Sequence, residues 1–478
     1  MNWKTLASLI IFLAGVAHAN PFFAMDTGTK DATHQTAEAQ VALVKEIGFA
    51  GLGADYRTPA ALREMLAAVD RQQLKMFAVY FGLDLDAANP VSPQIRDAIS
   101  QLKGRDAVLW LFVTSKKLKP SDAAGDKVAV PVLREIAELA EPAGVRVALY
   151  PHAGMWVERV DDGVRLARQV ERKNVGVTFN LCHWLKADGK ELEARLEEAK
   201  PYLFVVTING ADENGMDWKR LIQPLDAGSF DVCRVLTKLK QMGYTGPIGL
   251  QHYGIHGDAH NNLQRSMNGW RRLQGPEFLP AKGWQEVGGV TLDKQDAKKL
   301  TTDPGTGILY SPSGRTEYLF TKEKYGDVEV HAEFIIPAHS NSGLYLMGSY
   351  EVQVYDSFGV AKDHYPGIEC GGIYPEWINN ANVRGHSPLV NASKLPGEWQ
   401  TFDVTFRAPR FDAAGKKTEN ARFLKVVHNG KLVQENVEVF GPTRGGFPEK
   451  ATGPLRIQGD HGPVAYRNIQ VKQLNAEK

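Results

Sequence analysis

Between Asn20 and about Trp270 the chain repeats one unit eight times, a short apolar run followed by a stretch with helical spacing, and this recurrence restricts the fold more than any other feature. The runs are PFFAMD, FAGLGAD, KMFAVYFGLD, AVLWLFVTS, RVALYPHAG, VGVTFNLCHW, YLFVVTINGAD and PIGLQHYG. Between them lie segments such as TAEAQVALVKEIG and PVLREIAELAEPAG, whose apolar residues recur at three and four and which stop at glycine. Eight buried strands alternating with helices predict a (β/α)8 TIM barrel, in which the C-terminal strand ends carry the site. The polar residues at those ends are Asp26, Asp55, His152, Asn180, His183, Asn209, Asp212, Gln251 and His252.

The pattern then changes. Residues 271–283, RRLQGPEFLPAKG, have no period and hold two prolines, so they read as a linker after a barrel of residues 20–270. From Trp284 onward short alternating strands predict an all-β sandwich over 284–478, with Asn429-Gly430 as a hairpin turn. A chain of 478 residues accommodates both domains.

Residues 1–19 carry Lys4, an apolar run from Leu6 to Val16 and then Ala17-His18-Ala19, the pattern of a cleavable signal peptide. The run is shorter than the roughly 20 residues of a membrane span, so the expectation is a periplasmic or secreted protein beginning at Asn20. The formal net charge is +1, with no run of lysine or arginine, which favours neither nucleic acid nor an anionic membrane as partner and suits a small neutral substrate. Three cysteines, Cys182, Cys233 and Cys370, are too few for a disulfide scaffold, although Cys182 and Cys233 could pair.

The motifs SGLYLMGSYEVQVYDS, CGGIYPEW, NASKLPGEWQTFDVTF, NGKLV and GPLRIQGDHGPVAYRNIQV resemble the 3-keto-disaccharide hydrolase family, once called domain of unknown function 1080. The resemblance implies a concanavalin-like jelly-roll fold and a carbohydrate substrate. IGFAGLGAD, VALYPHAG, VGVTFNLCHW and MGYTGPIGLQHYG resemble the xylose-isomerase-like barrels, which include sugar phosphate isomerases and epimerases. That second resemblance implies a divalent metal held by Glu, Asp, His and Glu at the ends of strands five to eight. Tyr150, Asn180, Thr207 and Gln251 stand there instead, so the usual oxygen-rich metal site is expected to be lost. A softer ion such as Zn²⁺ on His152, His183, His252, His256 and His260 stays open as an alternative to a pocket lined by hydrogen-bonding side chains. Two glycines inside HYGIHGDAH argue against one helix presenting the last three histidines.

In the sandwich, alternation along YEVQVY sets Glu351, Gln353 and Tyr355 on one face and Val352 and Val354 on the other. A pair of carboxylates about 5 to 5.5 Å apart, which a retaining glycosidase requires, is not offered by this strand, because Asp356 has the wrong parity unless the strand bulges or ends there. A ketone at C3 of a sugar acidifies the C2 hydrogen, so a single base can start elimination of the C1 substituent, with hydration giving net hydrolysis. Glu351 is the first candidate for that base or acid, with His461 as proton donor to the leaving oxygen and Asp356 as a further catalytic candidate. Substrate-binding candidates are Asn341, Tyr345, Gln353, Glu369, Tyr374 and Gln458 in the sandwich and His152, Asn180, His183 and Gln251 in the barrel. Trp377 is a further aromatic candidate, Trp399 reads as core, and Glu369 has Arg384 or a metal as alternative partners.

The leading expectation is thus an exported enzyme that cleaves 3-keto-glycosides. Two alternatives remain: a carbohydrate-binding sandwich fused to a degenerate barrel, and an active isomerase or epimerase barrel.

Overall fold

The computed structural model describes residues 20–312, 314–361 and 369–474. The signal-peptide pattern lies outside these residues. Every one of the eight apolar runs forms a strand: β1 (Phe22–Met25), β2 (Gly51–Asp55), β3 (Lys75–Asp84), β4 (Val108–Thr114), β5 (Arg146–Leu149), β6 (Val175–Asn180), β7 (Leu203–Ile208) and β8 (Ile248–Leu250). Each pairs in parallel with the next and β8 returns to β1, closing the barrel. A parallel strand is covered on both faces, which explains runs that are apolar throughout rather than alternating. Phe23, Met25, Phe77, Trp110 and Tyr150 fill the interior.

Local signals set the outer helices. Ala37–Ile47 is capped by the Thr36 side chain and ends at Gly48, whose φ of 96° continues the chain out of the helix. Pro59–Arg71 starts the same way from Thr58, with proline in its first turn. A last helix, Ala259–Gln274, runs four residues past Trp270 into the segment read as linker. The first compact unit ends at His260; the second begins at Asn261 and also takes Pro224–Gly228.

The second unit is antiparallel. Its strands are β9 (Gln285–Leu292), β10 (Leu300–Ser311), β11 (Leu319–Phe320), β12 (Val328–Ile335), β13 (Asn341–Leu346), β14 (Tyr350–Tyr355), β15 (Glu376–Ile378), β16 (Ala381–Val383), β17 (Gln400–Arg407), β18 (Arg410–Phe411), β19 (Lys417–Glu419), β20 (Ala421–His428), β21 (Lys431–Val439), β22 (Arg456–Ile457) and β23 (Val464–Gln473). One sheet has the order β21-β20-β17-β12-β23-β10-β9 and another β11-β22-β13-β14, with two short ribbons besides. Asn429 and Gly430 take positive φ values of 50° and 78°, the conformation a two-residue hairpin demands. Phe334, Phe402, Phe406 and Phe423 of the larger sheet share one buried core with Leu344, Val352, Val354 and Ile457 of the smaller. The period of two therefore points Tyr345, Glu351 and Gln353 away from that core.

Among the described residues no helix is long and apolar enough to cross a membrane. Cys182 and Cys370 are buried and Cys233 is exposed, and no disulfide joins Cys182 to Cys233.

Candidate active site

The outward face of β14 is not solvated. Glu351 is only 3 % exposed, and its carboxyl lies over Gly343 on β13, where an added Cβ would come within 2.2 Å of Oε1. Cross-strand register sets Tyr345 directly opposite Glu351, and its hydroxyl donates to the carboxyl. Burial pushes the Glu351 pKa up to about 8, against the lowering effects of the Tyr345 hydrogen bond and the Arg456 charge, while Asp460 adds to the rise. A carboxyl at that value exchanges protons near neutral pH, as a general acid or base must.

Arg456 on β22 is the principal residue that sequence reasoning missed. Its guanidinium is clamped between the rings of Tyr318 and Tyr345, at 3.9 and 4.1 Å from their centroids. Nη1 donates to the Gly445 carbonyl at 2.7 Å, while Nε is buried without a hydrogen-bond partner. A signal was present in PLRIQG: arginine and Gln458 alternate with the core residues Leu455 and Ile457, an unusual charge in a strand so apolar.

The other candidates divide. Tyr345, Gln458 and Tyr374 gather around Glu351: Gln458 backbone N–H donates to Gly343 at 3.0 Å, Tyr374 backbone N–H donates to the Glu351 carbonyl at 3.1 Å, and the Glu351 charge raises the Tyr374 pKa after burial. Gln353 donates to Asn341 Oδ1 at 2.7 Å on the same face, and its own Oε1 is buried without a partner. His461 is exposed and its Nδ1 lies 2.5 Å from Asp460 Oδ1, which ties it to the loop that bears on Glu351. Asp356 sits elsewhere: five residues past Glu351, or ~16 Å at ~3.3 Å per residue, its carboxyl accepts the His339 backbone N–H at 2.9 Å and fastens the turn into β13. Glu369 is buried, and its carbonyl accepts Gly372 N–H at 2.8 Å in the turn that leads to Tyr374. Arg384 lies 3.3 Å from Glu376, the buried carboxylate that stands beside it. Trp377 carries the Arg444 guanidinium on its face at 4.4 Å, and half-buried Trp399 packs beside the edge of the larger sheet under Arg467.

The barrel mouth is built differently. Thr207 donates to Asn180 Oδ1 at 2.7 Å, Asn180 donates to Thr178 at 2.9 Å, and Trp110 Nε1 donates to the same threonine at 2.8 Å. Gln251 Oε1 accepts the backbone N–H groups of His252 and Tyr253 at 2.9 and 3.0 Å, and Tyr150 OH meets His183 Nε2 at 2.9 Å. The four positions where the barrel family implies metal ligands thus hold neutral oxygens engaged by neighbouring side chains or backbone N–H groups, with no carboxylate among them, and they do not fit a hard dication. Of the histidines, His152 and His183 meet as a tilted pair with centroids 3.9 Å apart, whereas His252 packs on Gly28 and His260 lies 3.4 Å from Glu46. Gly254 and Gly257 take positive φ and the helix begins only at Ala259, so His252, His256 and His260 do not share a helical face. Among the described residues no three His, Cys, Asp or Glu side chains converge on one point.

The two units are thus a closed eight-stranded parallel barrel and an antiparallel β-sandwich whose outward face holds a buried carboxyl, Glu351. The chain carries a xylose isomerase-like TIM barrel, matched over residues 41–273, and a 3-keto-alpha-glucoside-1,2-lyase-like domain, matched over residues 264–472. It is 28% identical over 127 residues to an uncharacterized protein of Methanocaldococcus jannaschii, a match covering 26% of this chain and 42% of that protein. Among solved structures it is similar to a provisionally assigned glycosyl hydrolase from Parabacteroides distasonis, at 28% identity and a TM-score of 0.30, covering 40% of this chain and 79% of that one. It is also similar to the 3-keto-D-glucoside 4-epimerase of E. coli, at 17% identity and a TM-score of 0.43, covering 52% and 98% of the two chains.

Proposed function

We propose that the protein is an exported enzyme that cleaves 3-keto-glycosides by elimination across C1 and C2, with the chemistry in the sandwich. The observation that carries this reading is Glu351, a buried carboxyl whose pKa is raised to about 8 on the face of a domain of the 3-keto-glucoside lyase type. Glu351 takes the C2 proton, and the electron pair of that bond moves into the C3 carbonyl to form an enolate. The enolate returns its electrons to make the C1–C2 double bond as the C1–O bond breaks. The leaving oxygen takes a proton, for which His461 beside Asp460 is the candidate donor. Addition of water across the enone, hydroxyl to C1 and proton to C2, completes net hydrolysis.

Surrounding groups have parts to play in this scheme. The Arg456 cation and the Tyr345 hydroxyl favour the ionised form of Glu351, which is the form a base requires. Gln353 and Asn341 offer amides for sugar hydroxyls further along the same face, and the unpaired Gln353 Oε1 is ready to accept one.

The test is incubation of the purified protein with 3-keto-trehalose or a methyl 3-keto-glucoside, following release of 3-keto-glucose or the glycal. Turnover by the parent and its loss in Glu351→Gln are expected; undiminished cleavage by the variant overturns the assignment. Export predicts an N-terminus at Asn20 in protein recovered from outside the cytoplasm.

A further inference from the structure

We infer that the barrel mouth is a metal-independent site for an uncharged sugar ring, separate from the chemistry at Glu351. The strand ends surround a cavity of about 490 Å³, inside the range of roughly 300–1,000 Å³ typical of small-molecule sites. Its wall is dominated by Met25, Phe112, Met155, Trp218, Ile222 and Tyr253. Flat apolar surface of this kind receives the C–H face of a sugar, while a few polar groups fix its hydroxyls.

The charges decide among ligands. Arg57 lies 3.6 Å from Asp55 and 3.4 Å from Asp26, so the one lysine or arginine that lines the cavity among the described residues is shared between two carboxylates. A phosphate needs an uncompensated cation or a cluster of donors, and Arg57 is not free to supply it. A hard dication needs convergent carboxylates, and among the described residues no three His, Cys, Asp or Glu side chains converge, while Gln251 Oε1 already accepts two backbone N–H groups. His152 and His183 lie side by side in the wall, with ring centroids 3.9 Å apart. Beside the Arg57–Asp55 pair, the polar lining consists of Thr27, Tyr80, Tyr150, His152, His183 and Gln251. His183 Nδ1, on a ring that lines the cavity, is buried with no hydrogen-bond partner, and a buried polar atom left in that state is completed by a ligand hydroxyl or water.

The experiment is calorimetric titration of the full chain with D-glucose, 3-keto-D-glucose and D-glucose 6-phosphate, after dialysis against EDTA and again with added Mn²⁺. Saturable binding of one or both neutral sugars is expected in EDTA, unchanged by Mn²⁺ and at least about tenfold tighter than binding of the phosphate. Trp218 stands at the rim, 38 % exposed, so Trp218→Ala leaves the core intact and is expected to weaken binding about tenfold. Binding by neither neutral sugar, binding that requires Mn²⁺, equal affinity for the phosphate, or an unaltered Trp218→Ala isotherm would each overturn the inference. Its failure leaves the sandwich reading standing, because cleavage and its dependence on Glu351 are measured separately.

Discussion

The barrel mouth and the outer face of β14 bury comparable sets of polar side chains and treat them in opposite ways. At the barrel, Thr207 donates to Asn180, Tyr150 meets His183, and Gln251 accepts the next two backbone N–H groups, with no carboxylate among them. At the sandwich, a carboxyl and a guanidinium are both kept almost wholly out of water. Burying a charge costs far more than burying an amide, so a fold retains one where the charge has work to do. The contrast is the ground on which we proposed recognition at the first site and proton transfer at the second.

The largest effect that separates the two sites is expected from Glu351→Gln, which keeps the shape and removes the base. The kcat/KM for 3-keto-glucosides should fall by about 10² to 10⁴, while sugar binding at the barrel stays within error. Loss of barrel binding in the same variant would break the division of labour.

Next is the effect of pH on stability. The Glu351 pKa is about 8 in the fold against a model-peptide value of 4.5, so between those limits the folded state holds a proton that the unfolded chain has released. Stability from this group is therefore undiminished below pH 4.5 and is lost as pH rises through 8, by on the order of 4 to 5 kcal/mol. Thermal melts should show Glu351→Gln gaining on the parent as pH rises from 5 to 9; a constant difference would mean that the carboxyl is not desolvated.

Gly343→Ala probes how closely the site is set, since its methyl would occupy the place of Glu351 Oε1. Displacing the carboxyl by about 1 Å is expected to cost about 10² in kcat, with the circular dichroism spectrum unchanged. The smallest effect belongs to the barrel. Gln251→Glu puts a carboxylate where an amide donated to Tyr150, and it should cost about 1–3 kcal/mol by denaturant unfolding, more at pH 8 than at pH 5.

Much of this was legible in the chain because period carries burial. All eight barrel strands follow from apolar runs, and the facing of Glu351 follows from the valines on either side of it. What periodicity does not encode is the cover over an outward face. Glu351 reads as exposed or functional until Gly343, Arg456 and the loop of Asp460 and His461 are seen around it; Gly343 comes from the adjoining hairpin strand, but Arg456 and that loop are brought in by pairing between segments more than a hundred residues apart. The same limit applies at the barrel. Gln251 is identified as a poor ligand by its residue type, but the saturation of its oxygen by the next two backbone N–H groups is a matter of local geometry. Asp356 shows the converse: a carboxylate close in sequence to a catalytic candidate is occupied in holding a turn.

The segment 371–374 has one more consequence. β14 is the last strand of its sheet, yet Gln353 N–H donates to the Gly372 carbonyl, and Gly371 and Tyr374 donate back to Gln353 and Glu351. A border strand left bare invites another polypeptide to zip onto it, and this one is sealed by its own chain. The strand that carries Glu351 is thereby denied to self-association, which lets it remain rich in valine and tyrosine without becoming a seed for fibrils.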